Sequence, residues 1–501
     1  MSEDRSKLSG KRKTLDRTLK PHWVWAIALG SSIGWASFVM PATWMGQAGP
    51  AGVIIGLGAG ALLMAIIAIS YGVLIRNFPV SGGEFAYAFL GLNRVHAYIS
   101  GWFLTLGYIC IVALNATAFA LMLKFIFPSF IEQGKLYEVA GWDVYWTEII
   151  IVAVLVALFT FMNVRGSNIS GRMQFIFCSI LVLGVLVISG FMMGHPTTSF
   201  DNLSPAFSPD ISSIGAILTI VAIAPFAYVG FDNVPQAAEE FKFSSKKALT
   251  LIMLAIVFAW AIYALMIVAT GVAAPWIGTS EAGYLWGTGT VVEEVLGTGG
   301  LVILALALSM GIFTGLNGFM ISASRVLFAM SRGKVLPDIF SKLHPKHNTP
   351  HWSILFAAAI ALIAPFFGRN VLGWVVDMSS VGVSIAYFYT CYTAYKILKW
   401  KDDGEMDPKR EMVSPGKKFV AMLGMISSIG FLLLLLVPGS PAVLGTESLV
   451  ALGIWIALGL IFFLVKRKDL MSYKREDLAY LILGKDKFDL KKDEDEDKEM
   501  A

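Results

Sequence analysis

The sequence predicts an all-α membrane protein with twelve transmembrane helices. Hydrophobic residues make up 56% of its 501 residues and charged residues only 15%, whereas a soluble domain carries about 25% charged residues. Apolar runs of about 20 residues, each long enough to cross a bilayer as a helix, recur along the whole chain. Membrane strands would instead read as short alternating segments, so the spans are helical.

The twelve predicted spans are numbered here in chain order. They lie near residues 22–45, 50–75, 95–127, 148–164, 173–194, 212–238, 248–272, 295–331, 352–367, 371–397, 418–437 and 443–465.

The basic residues predict the orientation. If the N-terminus is cytoplasmic, every lysine and arginine falls inside except Lys124, Lys135 and Arg369. The positive-inside rule therefore favours cytoplasmic N- and C-termini in the cytoplasmic (plasma) membrane. The formal net charge of +4 then reflects topology and does not indicate nucleic-acid binding.

Two spans carry helix breakers in their middle. Span 1 contains "GSSIGWASF", with Gly30 and Gly34 and then Pro41, and span 6 contains "APFAYVGFDNVPQ", with Pro225, Gly230 and Pro235. Proline removes a helical hydrogen bond and glycine weakens a helix. Unwound backbone survives in the membrane only beside protein or a water-filled cavity. Because the broken spans are five apart, a five-helix repeat must be inverted, and paired broken helices of this kind indicate a transporter site.

This arrangement divides the chain into five predicted parts. They are a cytoplasmic tail at 1–21, the first five-helix repeat at 22–194, the second, inverted repeat at 195–397, a cytoplasmic loop with spans 11 and 12 at 398–466, and a charged cytoplasmic tail at 467–501.

A broken helix exposes amides at one half and carbonyls at the other. The amides favour an anion and the carbonyls a cation. An amino acid carries both charges on neighbouring atoms, so two breaks can hold it without a charged side chain. The purely structural alternative is that the glycines only allow helices to pack closely. The matching positions of the two breaks argue against that alternative.

Four motifs carry a family resemblance. They are "GSSIGWASF" in span 1, "FPVSGGEFAYAFLGLNRVHAYISGW" after span 2, "FAYVGFDNVPQAAEE" in span 6, and "SRVLFAMSRGKVLP" followed by "NTP" after span 8. In this order they resemble the amino acid–polyamine–organocation permeases over spans 1 to 10. The resemblance implies a LeuT-like five-plus-five inverted repeat with helices 1 and 6 broken, and transport of an amino acid by alternating access.

The resemblance also implies a substrate site at the two breaks. The expected substrate-binding residues are Ser31, Ser32, Ile33, Gly34, Trp35, Ala36, Asn115, Phe226, Ala227, Tyr228, Val229, Gly230 and Asp232. The amides of Trp35 and Ala36 would meet the substrate carboxylate, and carbonyls of Ser32, Phe226 and Val229 its ammonium. Phe226 would be the aromatic gate.

Three positions depart from the family pattern. Trp35 and Ala36 replace a small polar residue and a glycine, which predicts a narrower pocket for a small substrate. Leu181 in span 5 stands where some members place a lysine that is linked to proton coupling. The coupling ion is therefore expected to bind at a site that does not include residue 181.

The coupling ion is predicted to be Na⁺ or H⁺. Hydroxyls of Ser309 and Thr314 could complete an oxygen shell for Na⁺. Asp232 or Asp377 could instead carry a proton, because a carboxylate away from water binds protons more tightly. Exchange driven by substrate alone is a third possibility. Asp232 could also be a plain helix cap, and Asp377 could lie at the aqueous interface.

Other polar residues in or near the spans could have structural roles instead of functional ones. Asn115 and Asn317 could face the cavity or hydrogen-bond between helices. Glu239 and Glu240 end span 6, where a solvated end is expected ahead of a gate ion pair with a loop lysine.

Other function classes fit less well. The sequence shows no clustered nucleophile and base, so it predicts no enzyme, and the six histidines show no metal-ligand spacing, so no metal or other cofactor is expected. A channel would need a continuous pore lining, and the isolated acids within the spans form no obvious ring around a pore. A channel, or a sensor on the same scaffold, is therefore less favoured. A polyamine or organic amine transporter, or an exchanger on the same fold, remains the alternative. The expected partners are a small-molecule substrate and the lipid bilayer.

Overall fold

The computed structural model describes residues 12–139, 142–284, 286–368, 371–402, 416–440 and 443–484. The first half of the chain forms α1 (Pro21–Ile33), α2 (Ala36–Val39), α3 (Pro41–Asn77), α4 (Gly83–Gly91), α5 (Arg94–Ile126), α6 (Pro128–Ile131), β1 (Lys135–Val139), β2 (Trp142–Tyr145), α7 (Trp146–Val164), α8 (Ser167–Met193), α9 (Ser213–Ala222), α10 (Ala224–Tyr228) and α11 (Asn233–Gln236).

In the described residues of the second half, the regular elements are all helices. It forms α12 (Ala248–Ala273), α13 (Trp276–Glu281), α14 (Gly287–Arg332), α15 (His351–Ala361), α16 (Val371–Asp402), α17 (Gly416–Leu436), α18 (Thr446–Ser472) and α19 (Arg475–Leu483).

Eight helices of the described chain are long and apolar enough to cross a membrane. They coincide with predicted spans 2 to 5, 7, 8, 11 and 12, which confirms an all-α membrane protein. Spans 1 and 6 are instead short helices separated by breaks, and span 9 is α15 followed by the 3₁₀ turn Ala364–Phe367. Span 10 is the long helix α16. The twelve-span inverted repeat stays a prediction.

The outer surface of the helices is apolar. Val154, Leu183, Val257, Leu433 and Val465 are all more than half exposed. Side chains of this kind gain nothing from contact with water and match the hydrocarbon interior of a bilayer.

Two glycines kink the longest helices. Gly49 has a φ of 72° inside α3, and Gly297 has a φ of 65° inside α14. A Cβ on Gly49 would lie 2.6 Å from the backbone of Phe207, so only glycine fits there. The kink at Gly49 lies between predicted spans 1 and 2.

The helices pack around the two broken spans. α1 lies against α8, α12 and α14, while α10 packs on α3 and α16. α5 is held between α14 and α16. The broken spans therefore lie inside a shell of continuous helices.

Two features were not predicted from the sequence. β1 and β2 form an antiparallel hairpin between spans 3 and 4. The segment before α1 is bound to the end of span 6: Leu19 pairs with Phe241, and Leu19 N–H donates to Glu240 O over 3.0 Å. Residues 1–11 of the predicted N-terminal tail, residues 485–501 of the charged tail, Arg369 and part of the loop before span 11 lie outside the described residues.

Candidate functional site

Span 1 breaks between α1 and α2. Gly34 has a φ of 50°, and its N–H closes α1 on Gly30 O. This conformation suits glycine. Trp35 and Ala36 already have helical backbone, so the alanine that replaces the family glycine is accommodated without strain.

Span 6 breaks between α10 and α11, and the two breaks touch. Gly230 has a φ of 131°. A Cβ on Gly230 would lie 2.5 Å from the amide nitrogen of Ser32 and 2.7 Å from the carbonyl carbon of Ser31. The sequence predicted both breaks, and the structure brings them into direct backbone contact.

Side chains bind several of the freed carbonyls. Ser32 Oγ donates to Tyr228 O over 3.0 Å. The hydroxyl of Tyr263, from α12, lies 2.9 Å from Ser32 O, 3.2 Å from Ile33 O and 3.0 Å from Ala227 O. Tyr263 therefore joins both breaks. Sequence analysis missed it because a single tyrosine in a continuous apolar span carries no distinguishing pattern.

Two aromatic rings, one from each broken span, lie beside each other at the breaks. The rings of Trp35 and Phe226 have centroids 6.4 Å apart and are tilted by 58°. Trp35 is buried, with 9% of its surface exposed. The residue expected to narrow the pocket thus lies beside the expected gate.

Asp232 is fully buried beside the break in span 6. Its Oδ1 accepts the Gly230 N–H over 2.7 Å, and its Oδ2 accepts the Tyr108 hydroxyl over 2.9 Å. It makes no side-chain cap on α11, so the interpretation as a helix cap is wrong. The carboxylate instead stabilises the unwound turn and ties it to span 3.

Span 8 approaches span 1 closely. Thr314 Oγ1 donates to Gly30 O over 2.8 Å, and a Cβ on Gly30 would lie 2.8 Å from Thr314 Cβ. Ser309 Oγ bonds within its own helix, to Ala305 O. Asp377 Oδ2 accepts from Ser448, which joins spans 10 and 12 away from this cluster. Of the predicted coupling residues, only Thr314 and Asp232 meet the breaks.

Two buried amides keep unused hydrogen-bonding groups near span 8. Asn115 Nδ2 donates to Ile111 O, while its Oδ1 has no partner among the described residues. Both polar atoms of the Asn233 side chain also lack a partner there, although Asn233 is fully buried. Asn233 follows Asp232 directly, and sequence analysis passed over it because the neighbouring acid drew the functional reading.

A chain of amides joins span 5 to spans 1, 4 and 8. Gln174 Nε2 donates to Ala26 O and Thr314 O, and Asn317 Nδ2 donates to Gln174 Oε1 over 2.7 Å. Asn163 Nδ2 in turn donates to Asn317 Oδ1. Asn317 therefore hydrogen-bonds between helices, which is one of the two roles considered for it; the other was to face the cavity. Leu181, which stands where some members of the family place a lysine, is fully buried.

The far end of span 6 is closed by ion pairs. Arg325 Nε lies 2.8 Å from Glu240 Oε1, and Arg332 Nη1 lies 2.9 Å from Glu239 Oε2. Ser167 Oγ donates to Glu240. The expectation that Glu239 and Glu240 are solvated is wrong, because two arginines of α14 pair with them. The alternative named a loop lysine as the partner, and the partners are instead arginines of a helix.

Known proteins match most of the chain. The amino acid permease family model matches residues 23–462. The methylthioribose transporter of Bacillus subtilis is 28% identical, covering 93% of this chain and 96% of its own length. The branched-chain amino acid permease BcaP of the same organism is 26% identical (91% and 94%), and the lysine-specific permease LysP of Escherichia coli is 23% identical (83% and 86%). No group of three or more His, Cys, Asp or Glu side chains in the described part of the chain could hold a metal ion.

The family model covers residues 23–462 of the chain. The chain therefore belongs to the amino acid permease family of integral membrane transporters.

Proposed function

We propose that the protein is a secondary active transporter that moves a small, uncharged amino acid across the cytoplasmic membrane by alternating access. The contact between the two breaks supports this proposal most directly. Amides at the start of α2, from Trp35 and Ala36, would bind the carboxylate. Carbonyls of Ser32, Phe226 and Val229 would bind the ammonium, as the resemblance implies.

The charges at the breaks favour an uncharged substrate side chain. Asp232 is the acid beside the unwound turns, and both of its oxygens already accept hydrogen bonds. A lysine or arginine side chain would need a buried anion to compensate its charge. This feature separates the proposal from the lysine-specific relative and from a polyamine transporter.

The topology follows from the basic residues. We place both termini and the ion pairs of Arg325 and Arg332 on the cytoplasmic side, because the positive-inside rule favours that side for all basic residues but three. The five-plus-five inverted repeat accounts for two breaks five spans apart. Cysteines introduced near residues 14 and 476 should then react only with reagents that reach the cytoplasm, and labelling of the two from opposite faces would contradict the topology.

Competition for uptake tests the substrate class. In proteoliposomes that take up labelled alanine, unlabelled alanine and serine should compete far better than phenylalanine, arginine or methylthioribose. The Trp35 ring occupies volume that a larger side chain needs, and a methylene is worth about 1–3 kcal/mol in such a pocket. Trp35→Ser should therefore admit leucine and phenylalanine as competitors.

A matched control for this variant is Trp25→Ser, because Trp25 lies on α1 but packs against Phe258 instead of Phe226. It should leave the competitor order unchanged. Strong competition by arginine or phenylalanine in the unmutated protein would refute the small neutral substrate, and dominant competition by methylthioribose would favour the chemistry named for that relative.

Phe226→Ala should reduce uptake by about tenfold, which corresponds to ~1.4 kcal/mol. The reason is that Phe226 contacts the Trp35 ring and, as the proposed gate, would close the outer side of the breaks. Phe226→Tyr keeps the ring and should retain most uptake. Phe258→Ala, at a largely exposed aromatic on the outer surface, serves as the control. Full uptake by Phe226→Ala at equal membrane expression would contradict the gate.

A further inference from the structure

Glu84 is a fully buried acid that neither the breaks nor the ion pairs use. It lies in the first turn of α4, between spans 2 and 3. The Tyr71 hydroxyl donates to its Oε1 over 2.7 Å, and Gln236 Nε2 donates to its Oε2. Both donors are uncharged, so the carboxyl is bound from two sides without a compensating cation.

One of these donors, Gln236, links Glu84 to Asp232 through Tyr108. Gln236 Nε2 also lies 3.3 Å from the Tyr108 hydroxyl, which donates to Asp232 Oδ2 over 2.9 Å. A Cβ on Gly83 would lie 2.8 Å from Gln236 Nε2, so a glycine is needed for this close approach. A continuous set of hydrogen bonds therefore runs from the unwound turn of span 6 to the α4 helix.

Within the described part of the chain, no cation is among the groups that act on the Glu84 carboxyl. Its neighbours are Tyr71 from α3, Tyr108 and Ser100 from α5, Gln236 from α11, Asp232 from the break and Tyr387 from α16. Four basic residues near α4 have other partners: Arg332 binds Glu239, Arg94 donates to Leu470 O and Tyr473 O, Arg475 donates to Leu92 O, and His96 bonds Tyr389.

Two buried carboxylates in this setting favour one retained proton. Burial raises the pKa of Glu84, and the nearby Asp232 carboxylate raises it further. The N-terminal turn of α4 favours the ionised form, but such a dipole contributes less than full burial opposes. Gln236 Oε1 has no partner among the described residues. Rotation of the amide by 180° would let that oxygen accept the O–H of a protonated Glu84.

We propose that Glu84 binds the proton that drives transport, and that it forms one titrating pair with Asp232. This inference rests on the proposed transport function and selects H⁺ over Na⁺ and over exchange. In the closed arrangement the pair keeps a proton. When the inner end of span 6 moves away, Gln236 leaves Glu84 and water reaches it. The carboxyl O–H bond then breaks and the proton passes to cytoplasmic water. The ionised pair takes up its next proton from outer water when the breaks open to that side.

The test uses the full chain in proteoliposomes with an internal pH dye. The unmutated protein should accumulate alanine under an inward proton gradient and acidify the interior only when alanine is present. Glu84→Gln mimics the protonated side chain. It should lose accumulation by at least tenfold and lose acidification, yet still exchange external for preloaded alanine. Glu281→Gln, at an exposed acid of α13, should behave as the unmutated protein.

Different results would refute the transport function, the coupling to protons and the role of Glu84. If the unmutated protein shows no exchange of any amino acid, the transport function itself fails. If exchange occurs but accumulation follows a Na⁺ gradient or neither gradient, proton coupling fails and transport stands. Accumulation and acidification by Glu84→Gln at unmutated levels would refute the role of Glu84.

A second variant covers the case in which Glu84→Gln does not fold. Tyr71→Phe removes a donor that favours the ionised form of Glu84. Proton affinity should then rise, and the midpoint of the pH profile for uptake should move to higher pH. An unchanged midpoint would also refute the proposal.

Discussion

Gly230→Ala is expected to abolish transport. The added Cβ would lie 2.5 Å from the amide nitrogen of Ser32, and the backbone there has a φ of 131°, which side chains other than that of glycine rarely adopt. Strain of this kind costs on the order of 1–3 kcal/mol before the clash is counted. The clash is with backbone atoms of span 1, so no side chain can rotate to relieve it. We therefore expect uptake to fall by at least about 100-fold, since every ~1.4 kcal/mol is a factor of ten.

The control is Gly190→Ala in α8, where an added Cβ meets nothing within 4 Å. Uptake by this variant should match the unmutated protein, because alanine suits a helix better than glycine does. Both variants are measured by alanine exchange at equal amounts of reconstituted protein. Normal exchange by Gly230→Ala would show that the two breaks do not need to meet during transport.

Arg325→Met is expected to cause the largest loss of stability. The Arg325 and Glu240 side chains are 1% and 2% exposed, and removal of the cation leaves a buried carboxylate unpaired. Breaking a buried pair in this way costs about 3–5 kcal/mol. The melting temperature of the purified protein in detergent should therefore fall clearly.

The double variant Arg325→Met with Glu240→Met removes both charges and should recover most of that loss, because two well-packed apolar side chains can replace a buried pair. Asp338→Asn removes one side of an exposed pair with Lys334 and should leave the melting temperature unchanged. A double variant as unstable as Arg325→Met would show that lost packing, and not the unpaired charge, is responsible.

The breaks could be predicted because their cause is local. Gly34 and Gly230 both have the positive φ that a glycine within an apolar span suggests, and Pro225 opens the helix before the second break. The helical class followed in the same way from runs of apolar residues. These features depend on residues that are close together in the chain.

The missed contacts depend on residues that are far apart in the chain. Glu240 looked solvated because its partner, Arg325, lies 85 positions later. Glu84 sits alone among apolar and glycine residues, and nothing in that stretch reveals that Gln236 and Tyr71 surround it. Tyr263 is one aromatic among many. Only the packing of α12 against both breaks shows what its hydroxyl reaches.

The hydroxyl of Tyr263 has a single hydrogen but lies within bonding distance of three carbonyl oxygens, those of Ser32, Ile33 and Ala227. At any instant two of these three oxygens receive no hydrogen from it. The place where the two chain breaks meet is therefore short of donors and rich in lone pairs, and these backbone oxygens give it a negative potential in addition to that of the Asp232 carboxylate beside it. An ammonium group, with three N–H donors and a positive charge, would bind the oxygens that Tyr263 leaves free, while Tyr263 keeps one of its partners.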